Sequence, residues 1–444
     1  MSYAAAVEQL NAMVPELCQS SGQPRRKFSL DEIRVLLSAL GDPHRRFPAV
    51  LIAGTNGKGS TAATLASILT ASGVRTGLYT SPHLARVNER IRLDRAEIDD
   101  KTFARLYFRV HDAAQQLVID GRLPQLPSFF EILTAQALEY FAEAGVEIAV
   151  LEVGMGGRLD ATNIVDPLLS IITDISLDHM EWLGSTIGAI AHEKAGILRR
   201  NGTLITLPQH PEANQALGEV AVELKVRGVS AVPYMPLAST AGEGSYRIEA
   251  LGAEFDVDSP LAGAHQHRNV ALAIAAAVEL AQHHGFPITP ASITAGIHQT
   301  RWPARMESVQ RSGVEWILDV AHNPAGAWAL RAGLNAKLAD GAKSRILIFS
   351  CLRDKPVAEM AQILFPLFDQ VIIAPIHTAR AAALEDLLAA AQATGTPTEA
   401  AKSVGDAIQT AQSKADRGTV VISGSVYLVG EARSLLLPEN AGAP

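Results

Sequence analysis

Residues 49–61 read AVLIAGTNGKGST. The apolar run Ala49 to Ala53 has the continuous pattern of a strand buried on both faces, not the alternation of a half-exposed one. Gly54, Gly57 and Gly59 then let the backbone turn tightly and bring its N–H groups up to a ligand. Thr61 to Ser72 reads as a helix whose positive end faces that loop, and Arg75 to Tyr79 reads as a second buried strand. Strand, glycine loop, helix and strand form a βαβ unit, which commits this part of the chain to a mostly parallel α/β sheet. The loop suits phosphate, because Lys58 adds a mobile cation while Ser60 and Thr61 supply hydroxyls of the kind that hold Mg²⁺. It departs from the GxxxxGK[ST] spacing, since only two residues separate Gly54 from Gly57 and a glycine follows the lysine. A glycine turn with a solvated lysine is the alternative, but the strand-to-helix context favours a nucleotide cradle made of Gly54, Thr55, Asn56, Gly57, Lys58, Gly59, Ser60 and Thr61.

Outward from this unit, Ser29 and Glu32 have capping-box spacing ahead of Leu30, Ile33, Leu36, Leu37 and Leu40, which recur at helical intervals until Gly41 and Pro43. Ser128 and Glu131 repeat the box ahead of a helix reaching about Ala144. Glu147 to Val153 and Leu169 to Thr173 read as further buried strands, residues 228–255 as a small antiparallel excursion, and His265 to His283 as a helix. Thr300 to Pro303 reads as a linker, which predicts one domain over 1–300 and a second over 301–444. The second should be another doubly wound α/β domain, with strands near Trp316 to Asp319, Arg345 to Phe349, Gln370 to Ile373 and Thr419 to Ile422.

A chain of 444 residues exceeds what one core serves, and 48% hydrophobic residues can bury two. The net charge of −8, with basic residues scattered, leaves no footprint for nucleic acid or an anionic membrane, so small-molecule partners are expected. The cysteines, Cys18 and Cys351, lie too far apart in sequence to suggest a metal knuckle or a disulfide framework. The N-terminus carries Glu8 and Glu16 and reads as an amphipathic helix, not a signal peptide; with no membrane-length apolar run, a cytoplasmic protein is expected.

The segments TSPHL (80–84), LEVGMGGRLDATN (151–163), DISLDHMEW (174–182) and HEKAGI (192–197) end or follow predicted strands, where open parallel sheets bind ligands. Ser81, Glu152 and His179 are therefore candidates to converge on one Mg²⁺ beside the phosphates. Each also has a plain structural reading: Ser81 as a turn residue before Pro82, Glu152 as a partner of Arg158, His179 as a hydrogen-bonded loop residue, and Lys194 as a salt-bridged surface lysine.

In order, GTNGKGS, SPHL, RVNERI, FFEILTA, LEVGMGGRLDATN, LDHMEWLG, HEKAGI, GAHQHRNVALA, RWPARME, LDVAHNPAG and SGSVYLV resemble the folylpolyglutamate synthase and dihydrofolate synthase family of the Mur ligase group, over nearly the whole chain. The resemblance implies an N-terminal P-loop ATPase domain of the Mur ligase central type and a C-terminal Rossmann-like α/β domain. It implies an enzyme in which ATP phosphorylates a folate carboxylate and the amine of L-glutamate displaces phosphate. Carried over, Lys58 and the loop backbone hold the β and γ phosphates, Ser60, Ser81 and Glu152 serve one Mg²⁺, and His179 serves a second. Lys194 matches a lysine typically carbamylated in the family. Asn269, Arg305 and Asp319 match nucleotide-contacting positions; His322, Ser425 and Tyr427 match positions near the incoming glutamate. Phe129 and Phe130 match the folate pocket, with packing in the core of their helix as the alternative, and residues 81–93 resemble a mobile loop over the pterin, whose Arg86, Arg90 and Arg92 either meet the substrate's acidic end or are solvated. A monomer is expected.

Catalysis by such an enzyme is positioning and electrostatics, with no covalent enzyme intermediate. A cell-wall ligase acting on a UDP-sugar peptide shares the chemistry but requires an extra N-terminal domain for which the chain lacks room before Gly54. A P-loop NTPase switch leaves Glu152, His179, Lys194 and the second domain unexplained. The residues leave open whether dihydropteroate, reduced folates, or both are accepted.

Overall fold

The computed structural model describes residues 2–13, 29–237, 245–338, 344–415 and 417–437. Glu16, Cys18 and part of the expected excursion lie outside them. The chain divides into two compact units, one of Met1–His83, Val87–Ser259 and Arg268–Thr300, the other of Leu84–Arg86, Pro260–His267 and Arg301–Pro444. The division after Thr300 falls at the expected linker, while two short pieces from the N-terminal side belong to the second unit.

The first unit runs α1 (Tyr3–Ala12), α2 (Asp31–Ala39), β1 (Ala49–Ala53), α3 (Lys58–Ala71), β2 (Thr76–Tyr79), β3 (Ile91–Leu93), β4 (Ala96–Glu97), α4 (Asp100–Ile119), α5 (Phe129–Ala144), β5 (Ile148–Glu152), β6 (Pro167–Ile172), α6 (Met180–Leu183) and α7 (Ile187–Ala195). It continues with β7 (Thr203–Thr206), α8 (Pro211–Leu224), β8 (Arg227–Ser230), β9 (Ser245–Ala250), β10 (Ala253–Asp258), α9 (His265–His284), whose first turn lies in the second unit, and α10 (Pro290–His298). Its sheet has the order β4-β3-β2-β5-β1-β6-β7-β8, parallel except for the β3 and β4 edge. β1 sits between β5 and β6, so Ala49, Leu51 and Ala53 join the core built on α2, α4 and α5, while Val50 and Ile52 join the opposite core under α3, α9 and α10. That two-sided burial is why the strand reads as an unbroken apolar run.

The second unit adds β11 (Glu307–Arg311), β12 (Val314–Leu318), α11 (Pro324–Lys337), β13 (Arg345–Phe349), α12 (Val357–Leu364), β14 (Gln370–Ile373), α13 (Leu384–Thr394), β15 (Thr398–Ala400), α14 (Val404–Lys414), β16 (Thr419–Ser423) and α15 (Val426–Leu436). The order is β11-β12-β16-β13-β14-β15, with only β11 antiparallel. On β13, Ile346 and Ile348 face one core and Leu347 and Phe349 the other, the same two-sided logic.

Two local expectations need correction. The box at Ser29 does not form: Ser29 Oγ accepts the Asp31 N–H at 3.1 Å and donates to Asp31 Oδ2 at 2.8 Å, so the adjacent carboxylate captures the hydroxyl before Glu32 can. The excursion is narrower than residues 228–255. β8 pairs parallel with β7 as the last strand of the main sheet, and only β9 and β10 form an antiparallel hairpin. At Ser128 the box is complete, with Ser128 N–H and Oγ–H both on Glu131 Oε2 at 2.8 and 2.7 Å.

Candidate active site

Both directions of chain winding leave from β1, since the chain passes to β2 on one side and from β5 to β6 on the other. The carboxyl ends of β1, β2, β5 and β6 thus meet at a topological switch point, where open α/β sheets bind ligands. The glycine loop lies there. A Cβ on Gly54 would fall 1.8 Å from Thr173 Oγ1, and one on Gly57, at φ 89°, would fall 2.1 Å from Asn269 Oδ1. Only glycine fits either position, and the second places Asn269 against the loop. Thr55 and Asn56 donate their N–H groups to the Asp174 carbonyl at 2.8 and 3.2 Å, and Thr55 Oγ1 bonds both the carbonyl and the N–H of Ser176. The Arg268 guanidinium forks onto the Asp174 carboxylate at 2.6 to 3.0 Å, bracing the segment that braces the loop. Asp174 and Arg268 lie in the DISLDHMEW and GAHQHRNVALA segments, but their pairing is not legible there, because a pair 94 residues apart leaves no local sequence signal.

Two lysines converge on one carbonyl. Lys58 Nζ donates to Gly54 O at 3.1 Å and to Thr55 O at 3.3 Å, and Lys194 Nζ, on α7, donates to Gly54 O at 2.8 Å. Lys194 is buried, so the salt-bridged surface reading does not hold. Burial pushes its ammonium down to about 7; the charge of Lys58 acts the same way, and Asp178 and Asp160 oppose it. The buried hydroxyls of Ser60 and Thr61 have no hydrogen-bond partner among the described residues, which fits groups that bind a ligand.

At the end of β5, buried Glu152 accepts the Ser81 N–H on Oε2 at 3.1 Å, so these two expected metal residues are in contact. Arg158 pairs with Glu193 at 2.9 Å, not with Glu152. His179 has left-handed backbone, φ 50°, ahead of α6, and its Nε2 stands 3.9 Å from Asp178 Oδ2. Among the described residues no three His, Cys, Asp or Glu side chains form a metal cluster. The Glu152 carboxylate beside Ser81 fits Mg²⁺, which keeps most of its waters and takes one or two carboxylates plus substrate phosphates.

Asp160 is buried, with Oδ1 on the Thr162 N–H and hydroxyl at 3.0 and 2.6 Å and Oδ2 on the Met155 N–H at 2.9 Å; burial raises its pKa. Phe130 packs against Tyr79 with ring centroids 5.9 Å apart, and the Arg90 guanidinium lies 5.1 Å from the centroid of the Phe129 ring. Arg90 Nε donates to His83 Nδ1 at 2.9 Å, and burial, followed by that arginine's charge, pulls His83 down to about 4. Arg92 pairs with Glu97 at 3.2 Å.

In the second unit, Asp319 follows β12, its Oδ2 accepting the Met306 N–H and its Oδ1 the Ala321 N–H, both at 2.9 Å. Burial raises its pKa against the opposing charges of Arg305 and His265. His322 Nδ1 lies 2.9 Å from Val320 O, a contact in which the ring nitrogen donates and the carbonyl accepts. Ser425 caps α15, its Oγ accepting the Tyr427 N–H at 3.2 Å, while the Tyr427 ring is exposed.

The sequence pattern of the Mur ligase middle domain matches residues 121–277, and that of the Mur ligase glutamate ligase domain matches residues 304–426. The chain is 34% identical over 424 residues to the dihydrofolate synthase/folylpolyglutamate synthase of Bacillus subtilis, covering 92% of this chain and 95% of that one. It is similar in structure to a Mycobacterium tuberculosis folylpolyglutamate synthase complexed with ADP and AMPPCP, with a TM-score of 0.86 and 32% identity over 100% of both chains. It also resembles E. coli FolC in complex with DHPP and ADP, with a TM-score of 0.79 and 28% identity over 99% of each.

Proposed function

We infer that this chain, which belongs to the folylpolyglutamate synthase/dihydrofolate synthase family of Mur-type ligases, is an ATP-dependent ligase that joins L-glutamate to a folate-type carboxylate, releasing ADP and phosphate. The observation that carries the reading is the convergence of Lys58 and Lys194 on Gly54 O, in a glycine loop whose neighbouring hydroxyls, Ser60 and Thr61, are buried without partners among the described residues.

The first step moves the γ-phosphoryl group of ATP to the acceptor carboxylate, giving an acyl phosphate and ADP. The first-turn N–H groups of α3 and the Lys58 ammonium, swung off its two carbonyls, hold the β and γ phosphates and absorb charge as the terminal bond breaks. Asn269, whose Oδ1 lies against Gly57 of the loop, contacts the nucleotide, as do Arg305 and Asp319. Ser60, Ser81 and Glu152 would hold a Mg²⁺ and His179 a second; when bound they neutralise phosphate charge. Lys194 carries a carbamate: its neutral amine forms an N–C bond to CO₂ and releases one N–H proton to solvent, which leaves an anion able to face metal where the buried cation stood. Phe129 and Phe130 contact the pterin end of the acceptor.

In the second step the glutamate amine attacks the acyl carbon and phosphate leaves. His322 Nε2 takes the amine's proton, and Ser425 and Tyr427 lie along the amino acid. Holding amine and acyl phosphate together is worth effective molarities of roughly 10⁵ to 10⁸ M. We place the reaction in the cytoplasm, carried out by a monomer; no helix among the described residues is long and apolar enough to cross a membrane.

The test is ADP release with L-glutamate and Mg²⁺, run separately with dihydropteroate and with tetrahydrofolate, with product masses. A gain of one glutamyl unit on either acceptor supports the ligase and shows which activity is present. Equal ADP release without any acceptor would sink it in favour of an NTPase.

A further inference from the structure

Residues 304–306 hold a conformation that their side chains resist. Ala304 and Met306 have φ of 57° and 50°, so two non-glycine residues lie in the left-handed region on either side of Arg305. An L residue goes there at a cost, and such strain persists only where the surroundings over-determine it. Here they do. The Ala304 N–H is taken by Glu307 Oε2 at 2.9 Å and its carbonyl by the Val320 N–H at 3.2 Å. The Met306 N–H is taken by Asp319 Oδ2 at 2.9 Å, and the Met306 side chain is buried so close to α11 that a Cβ on Gly333 would fall 2.3 Å from its sulfur. Glu307 is itself fixed by a fork from Arg433, Nε to Oε2 at 2.9 Å and Nη2 to Oε1 at 3.0 Å. Two carboxylates, one buried and one clamped by arginine, therefore each hold one of the strained N–H groups. Arg305 leaves the chain between them, with Nη1 on Ala304 O at 3.1 Å.

We propose that Glu307, with Arg433 behind it, and Asp319 form a bracket that forces residues 304 and 306 into left-handed backbone in order to aim the Arg305 guanidinium at an anionic group of the nucleotide. This rests on the assignment of Arg305 to the nucleotide. Glu307 and Arg433 are positioning residues, acting through the arginine and touching no reacting atom. A relaxed loop would leave Arg305 to search among rotamers, and a misplacement of about 1 Å can cost on the order of a hundredfold in rate.

The bracket separates stability from activity. Ala304→Gly removes the backbone strain, because glycine occupies the left-handed region freely. It should leave the melting temperature of the full chain equal to or above wild type. Because glycine keeps the left-handed backbone and both N–H bonds of the bracket remain, it should leave kcat/KM for ATP near wild type. Arg433→Met, which unfastens Glu307, should lower kcat/KM for ATP by roughly ten- to a hundredfold, with KM for glutamate little changed. Arg305→Gln is the control. If it is crippled while Arg433→Met keeps wild-type kinetics, Arg305 matters and the bracket does not aim it, which overturns the proposal. If Arg305→Gln itself behaves as wild type, the assignment of Arg305 fails and the bracket has nothing to aim. Marked destabilisation by Ala304→Gly would also overturn it, since no strain would then be stored at that residue.

Discussion

A lysine amine that has lost its ordinary basicity is chemically different from a surface lysine, and Lys194 shows this most clearly. Burial lowers its pKa to about 7, with the Lys58 charge acting the same way. The sign follows from linkage. Between about 7 and the ordinary value of 10.5 the unfolded chain carries a proton that the folded site has shed, so stability rises with pH across that window and the cost of the buried ammonium is felt in full below it. In bicarbonate-free buffer, Lys194→Met should therefore raise the melting temperature more at about pH 6 than at about pH 9. The same shift leaves much of the amine neutral near pH 7, the form that reacts with CO₂. With ¹³C-bicarbonate, the wild-type protein should give a carbamate resonance that Lys194→Met lacks. An equal melting shift at both pH values would refute the depressed basicity, and absence of the resonance would refute the modification. The HEKAGI segment marked this lysine in the sequence, but its meeting with Lys58 on one carbonyl of residue 54 is a long-range fact that no local pattern carries.

Among elements, legibility followed burial. Ala49–Ala53, Arg345–Phe349 and Gln370–Ile373 are readable to the residue because each is a run of buried apolar residues, behind a half-buried polar first residue in the last two. β8 was not, because Arg227–Ser230 is an edge strand with a mostly exposed face and no apolar period to betray it. The two capping boxes make the same point. Ser29 and Ser128 precede similar spacings, yet an aspartate two residues on captures the first hydroxyl, whereas Ser128 and Glu131 are both buried and satisfy each other. Ser128→Ala should therefore lower stability by about 1 to 2 kcal/mol, at the upper end for a cap, because the buried Glu131 carboxylate loses its hydroxyl donor. Phe129 and Phe130 ride on the turn it secures, so KM for the folate acceptor should rise while KM for ATP holds. Urea melts and separate titrations of the two substrates check this; an unchanged urea midpoint would rule out the cap's contribution.

For the whole molecule, each unit has cores of its own on both faces of its sheet, so thermal unfolding need not be one transition. The phosphate loop and its bracing pair, Asp174 and Arg268, belong entirely to the first unit. A ligand that binds only the folded state stabilises it by RT ln(1 + [L]/Kd), about 2.7 kcal/mol at a hundred times Kd. AMPPCP with Mg²⁺ should therefore shift the transition of the first unit upward in the absence of any folate or glutamate. Lys58→Met provides the decisive comparison. Its ammonium makes two hydrogen bonds, to the carbonyls of Gly54 and Thr55, and Gly54 O keeps its bond from Lys194 without it, so losing Lys58 should hardly alter the melting of the free protein. It should nevertheless abolish most of the AMPPCP shift, because the cation that meets the β and γ phosphates is gone. Removing Lys58 also removes a repelling charge from Lys194, which moves that amine back toward its ordinary basicity. Differential scanning calorimetry of both proteins, with and without AMPPCP, reads these effects together. A full AMPPCP shift in Lys58→Met would mean that the nucleotide is held elsewhere, whatever the loop's spacing suggests.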